Sequence, residues 1–166
     1  MSRAFVKEDG PDNAPLPDLP ISPHPNFVTP RGLAALRDRL AAVRTGLARL
    51  KARPDRLDLL PEKAAERDIR YLEARLASAI PVDPATQPKG EVAFGCTVVV
   101  NDLDLDEQEE FTLVGAGEED YMNGKILITS PLAQGLVGKK IGDKVEIQVP
   151  AGITRFEILD IRFDED

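Results

Sequence analysis

The chain has no tryptophan, one histidine and one cysteine in 166 residues, and only 5% of its residues are aromatic. Each shortage excludes something. Cys96 alone cannot make an internal disulfide, and its isolation fits a reducing compartment. His24, set between two prolines, has no second ligand or base beside it, which gives it no role in metal binding or acid–base chemistry. No apolar run is long enough to span a bilayer, and no charged-then-apolar segment opens the chain. A soluble, cytoplasmic protein without a membrane partner is expected. The net charge of −8 argues against general affinity for the DNA backbone, so free DNA binding is not expected either.

What is present is unevenly distributed. Residues 30–80 carry 12 basic and 7 acidic side chains, whereas residues 81–166 carry 7 basic and 18 acidic ones. Residues 1–25 contain Pro11, Pro15, Pro17, Pro20, Pro23 and Pro25, which exclude a helix and favour extended, solvated backbone. This leader reads as a loosely held tail, with Phe5 and Val6 as its candidate anchors. From Thr29, a helix cap followed by Pro30, the grammar changes. Leu33, Leu36, Leu40, Val43, Leu47 and Leu50 recur at spacings of 3, 4, 3, 4 and 3, a heptad seam broken at Arg53-Pro54-Asp55. A second seam, Ala65, Ile69, Leu72, Leu76 and Ala79, runs until Pro81. Two such helices bury their seams by folding back as an antiparallel coiled-coil hairpin, each arm roughly 30–35 Å long.

Beyond a proline-containing connection the pattern becomes α+β. Strands are expected at residues 92–100, 110–114, 125–128, 144–149 and 153–163. Cys96 falls in the first of these as a small core residue. The acidic run "NDLDLDEQEE" lacks the central glycine and terminal glutamate of a calcium loop and reads as a solvated hairpin. One short helix is expected at residues 131–137, with Ser130 as its cap and Pro131 in its first position. The expected organisation is a tail (1–28), a coiled-coil hairpin (29–80) and a C-terminal α+β domain (88–166).

The stretch "SPLAQGLVGKKIGDKVEIQVPAG" resembles the C-terminal signature of the Gre family, the GreA/GreB-type bacterial transcription elongation factors. "GEVAFGCTVVVNDLD", "FTLVG" and "FEILDI" are similar to the family's flanking strands, "TPRGLAALRDRL" to the start of its first coiled-coil helix, and "YLEARLASAIPVDP" to the end of its second. The resemblance covers about residues 26–163 and leaves out the leader. It implies an FKBP-like, antiparallel-sheet C-terminal domain with one short helix, docked on the rim of the RNA polymerase secondary channel, with the hairpin inserted into that channel. The docking residues it implies are Thr129, Ser130 and Pro131; family members often have Asp or Asn where Thr129 stands.

In the family two acidic residues at the hairpin tip, within G-D-L-x-E-N-A-E-Y, help hold a Mg²⁺ shared with the polymerase active site and so stimulate RNA cleavage. Such a site needs carboxylates, because Mg²⁺ takes one or two of them and keeps its waters. The tip here is "RLDLLPEKAAE", with Asp55 just before it. Asp58-Leu59 matches the Asp-Leu pair, but Glu62 comes four residues after Asp58 and Pro61 intervenes. Asp58 reads either as a helix cap, with Glu62 a first-turn charge, or as a metal-delivering carboxylate. The basic residues Arg37, Arg39, Arg44, Arg49, Lys51, Arg53 and Arg56 read either as a surface for a nascent RNA 3′ end and acidic channel walls or as a solvated coiled-coil face. The function expected is an RNA polymerase-binding elongation regulator, not itself an enzyme, with weak or no cleavage stimulation and no cofactor of its own. The alternatives are a Rnk-like factor that occupies the channel and an FKBP-like peptidyl-prolyl isomerase; the sparse aromatics of residues 88–166 argue against the last.

Overall fold

The computed structural model describes residues 13–163, so the expected anchors Phe5 and Val6 lie outside the described residues. The chain divides into two compact units. One comprises residues up to Ile21 together with Arg37–Ala77, and the other comprises Ser22–Leu36 together with Ser78–Asp166.

The first unit is built on helices α1 (Pro30–Lys51), which begins in the second unit, and α2 (Leu60–Ser78). Leu40 and Leu72 are buried, and the other seam residues of this unit, Val43, Leu47, Leu50, Ala65, Ile69 and Leu76, are half-buried. Ion pairs between Arg44 and Glu73 (2.7 Å) and between Lys51 and Glu66 (3.3 Å) fix the antiparallel register, because one partner's number rises by seven as the other's falls by seven. The leader lies against this hairpin. Arg70 of α2 donates to Asp18 Oδ1 at 2.6 Å and to the Leu16 carbonyl at 2.8 Å. Leu16 and Asp18 of the proline-rich leader are thus tied to α2.

The second unit contains a five-stranded sheet, ordered β5-β4-β3-β7-β6, from β3 (Thr97–Asp102), β4 (Glu107–Val114), β5 (Lys125–Leu127), β6 (Lys144–Val149) and β7 (Gly152–Arg162). All neighbours pair antiparallel except β4 and β5, which run parallel. The run "NDLDLDEQEE" makes the β3–β4 turn: Asp102 accepts from the amides of Asp104 and Leu105, and Asp106 sits at φ 53°. Short helix α3 (Pro131–Leu136) packs on β6 at Gly135, where a Cβ would come within 2.7 Å of the Ile147 side chain. Fourteen buried side chains, from Val92 to Ile158, form the core between sheet and helix.

Two departures from the sequence reading have simple causes. Strand β3 begins at Thr97 and not at residue 92. Val92, Phe94 and Cys96 still alternate inward, but Gly95 takes φ 85° and the Cys96 amide turns back to the Ala93 carbonyl, so no ladder forms there. Three-residue strands β1 (Asn26–Val28) and β2 (Ala79–Pro81), too short for periodicity to reveal, pair parallel in a small second sheet.

Candidate functional site: a helix-capped corner and a clamped hairpin tip

The corner at the head of α3 is fixed by its own backbone chemistry. Ser130 has extended backbone (φ −67°, ψ 152°), and its hydroxyl accepts the Ala133 amide at 3.2 Å, while Pro131 fills the first helical position. The Ser130 amide donates back to the Leu127 carbonyl at 2.9 Å, and the Gln134 side chain donates to the Ile128 carbonyl at 2.7 Å. Both ends of the corner are tied to β5 and its continuation. Pro131 is exposed, and Thr129 and Ser130 are half-buried. Beside them His24, Pro25, Phe27, Ile128, Thr129 and Gln134 line a cleft of about 250 Å³. The sequence had left His24 without a neighbour; the fold puts it beside Thr129.

The start of α1 is anchored in the same unit. Thr29 caps the helix, its hydroxyl accepting the Gly32 amide at 3.0 Å and donating to Glu118 Oε1 at 3.1 Å. The Glu118 carboxylate therefore lies at the positive end of the helix dipole, where a negative charge is stabilising. No local pattern pointed to Glu118, because its partner is 89 residues away.

At the hairpin tip the acidic residues divide. Asp55 Oδ1 accepts the Leu57 amide and Asp58 Oδ1 the Leu60 amide, each at 3.0 Å. Asp58 thus caps the entry to α2 from one position further out than an N-cap, since it is the Leu59 carbonyl that accepts the Lys63 amide and opens the helix. Glu62 behaves differently. It is 4% exposed, and Arg56 grips both its oxygens at 2.7 and 2.6 Å, with Arg53 at 3.6 Å. This bidentate hydrogen bond, reinforced by both positive charges, holds the carboxyl below its ordinary pKa against the desolvation that would raise it. The same pairing raises the Arg56 guanidinium. Glu62 is therefore no solvated first-turn charge. It continues the α2 seam one step of three before Ala65, a signal that was available in the spacing.

Arg53 also donates to the Leu50 and Asp58 carbonyls, at 3.0 and 3.1 Å, which closes the turn between the helices. The apolar side chains do the reverse: Leu57 is 93% and Leu60 58% exposed. Glu62 is buried and paired with two arginines, whereas Asp58 is exposed. Among the described residues no cluster of three or more His, Cys, Asp or Glu could hold a metal ion. On the basic face Arg44, Lys51, Arg53 and Arg56 pair with carboxylates of α2, and all of these but Arg53 are exposed, as are Arg37, Arg39 and Arg49.

Comparison with known proteins places these features. Residues 87–163 match the family model described as "Transcription elongation factor, GreA/GreB, C-term", a span that contains the corner and leaves out the tip. The transcription elongation factor GreA of Thermodesulfovibrio yellowstonii is 37% identical over 152 residues, covering 82% of this chain and 96% of that protein. The chain belongs to the GreA/GreB family. The GreA of Psychrobacter sp. (strain PRwf-1) is 46% identical over 97 residues, covering 58% of this chain and 61% of its own length. The GreA of Psychrobacter arcticus is 43% identical over 100 residues and matched over 63% of its length. The chain thus spans about three fifths of these GreA proteins. Among solved structures, GreA factor homolog 1 of Thermus thermophilus aligns over 84% of this chain and 99% of its own, at 24% identity and a TM-score of 0.40. No helix among the described residues is long and apolar enough to cross a membrane.

Proposed function

We propose that this GreA/GreB-family chain binds RNA polymerase through the Thr129-Ser130-Pro131 corner and regulates elongation from the secondary channel, with weak or no stimulation of transcript cleavage. The observation that carries the second half is the Arg56–Glu62 clamp. A two-metal site needs its carboxylates free and well placed, and a displacement of about 1 Å already removes much of the benefit of positioning. The tip offers Leu57 and Leu60 to its surroundings and keeps Glu62 inside, which favours occupation of the channel over metal delivery. The rigid, capped corner with its adjoining cleft supports docking in the sheet-bearing unit. An isomerase reading has less support: Phe94 and Phe156 are core residues, and Tyr121 stands exposed.

The test is a transcript-cleavage assay on stalled elongation complexes, run beside polymerase binding. Binding is expected with little Mg²⁺-dependent cleavage, unchanged by Asp58→Asn, and the Ser130→Ala, Pro131→Gly double variant should bind more weakly while staying folded. Strong cleavage that Asp58→Asn abolishes would overturn the tip assignment, and unchanged affinity in the folded double variant would overturn the corner.

A further inference from the structure

The leader and α2 carry an observation that the channel reading does not use. In a two-helix hairpin each helix turns one face to its partner and the other to water. Helix α1 obeys this, with Ala41, Ala42, Arg44, Thr45, Ala48 and Arg49 exposed. Helix α2 does not: every residue from Lys63 to Arg70 is at least half-buried, through more than two turns. The leader meets this helix at Arg70, whose one guanidinium holds Asp18 and the Leu16 carbonyl, and Leu16 and Leu19 are themselves half-buried. A planar fork suits this two-point grip on a side chain and a backbone oxygen, and a lysine would not reproduce it. Pro15, Pro17 and Pro20 keep the segment extended beforehand, which lowers the entropy lost on docking. The charges agree, with four acidic and two basic side chains in residues 1–29 against the basic excess of residues 30–80.

Among the described residues the hold is light. Asp18 is 74% and Arg70 38% exposed at the side chain, so the ion pair is screened by water, and Leu16 and Leu19 are only half-buried. A segment so attached opens locally without unfolding what lies beneath.

We infer that residues 14–21 form a releasable strap over α2 that must leave before the hairpin can enter a narrow channel, making the leader an intramolecular inhibitor of polymerase binding. The inference rests on the channel reading of the hairpin. A closed strap lowers apparent affinity by the fraction of molecules that are open, so releasing it tightens binding by about three- to tenfold.

The experiment uses the full chain and two sets of variants, Arg70→Ala on the helix and Leu16→Asn with Leu19→Asn on the strap; the second set leaves the hairpin's own contacts untouched. Heteronuclear ¹⁵N relaxation of residues 14–21 reads the strap in the free protein, and titration with core RNA polymerase reads its consequence. Ordered leader amides in the parent chain, mobile ones in both sets, and severalfold tighter polymerase binding by both support the strap. Equal or weaker binding by variants whose leader has become mobile overturns the inhibitory role, and a leader already mobile in the parent chain overturns the strap itself. If neither parent nor variant binds polymerase while the relaxation data change as expected, the channel reading has failed and inhibition falls with it.

Discussion

Among the described residues, fourteen side chains of the sheet-bearing unit pack into one apolar core, whereas in the hairpin unit Leu40 and Leu72 are the buried apolar residues and charged groups take over much of the work. Glu62 and Arg75 occupy buried positions of α2, and arginines and a lysine tie the two helices together. The first arrangement rests on apolar packing. The second is held by contacts whose strength depends on pH and salt.

The comparison is broken most forcefully at its cores. Leu136→Ala removes a fully buried side chain under the sheet, and a loss of about 2–5 kcal/mol is expected. Cys96 reports on that unit, because its thiol is buried and pushed up in pKa by desolvation, and so reacts slowly until the sheet opens. Thiol labelling should accelerate in Leu136→Ala and stay slow in Leu72→Ala, which should instead lose helical ellipticity. Equal labelling in both would show that the two units unfold as one.

A smaller effect sharpens the electrostatic half. Arg56→Ala leaves the Glu62 carboxylate buried with the weaker Arg53 contact, so the hairpin should melt earlier than with the paired replacement Arg56→Met, Glu62→Leu. The sign of the pH dependence follows from the lowered Glu62 pKa. Its stabilisation is complete above the unfolded carboxyl value of about 4.3 and is lost as pH falls through the lower folded value. Helical ellipticity should therefore decline in that acid range in the parent chain and decline less in the paired replacement. An identical acid profile in the two would remove Glu62 from the account.

The mildest test concerns the corner. Ser130→Ala deletes one capping bond, and about 1 kcal/mol should be lost in a denaturant titration followed by Cys96 labelling. A cost near zero would mean that Pro131 and the Ser130 backbone contacts hold the corner unaided.

How much of this could be read from sequence depended on the range of the interactions. Strand β6 occupies residues 144–149 as the alternation of Val145, Ile147 and Val149 predicts, and Ser130-Pro131 caps α3, because both signals are local. The helical seams were legible too, and so was the antiparallel return they require. Glu62 does stand in the first turn of α2, but its burial was not legible, because Arg56 and Arg53, folded back across the turn, make it tolerable. The point where the leader is held was not legible for a related reason. The leader's composition describes an isolated chain, while its anchoring depends on Arg70, 52 residues from Asp18. Glu118 and the three-residue strands β1 and β2 likewise exist through partners distant in sequence.

The pairing of β1 with β2 has a further consequence. Asn26 faces Ala79 and Val28 faces Pro81 across the little sheet, and the Val82 amide reaches the Val28 carbonyl at 2.8 Å. The chain leaves for the hairpin and returns from it across this small sheet, so residues 37–77 are an insertion with a closed base. Such an insertion is interchangeable. Adding one heptad to each helix keeps both seams in phase and lengthens each arm by about 10 Å, while the small sheet and the sheet beyond it stay as they are. Reach and tip chemistry can then change without altering the sheet-bearing unit.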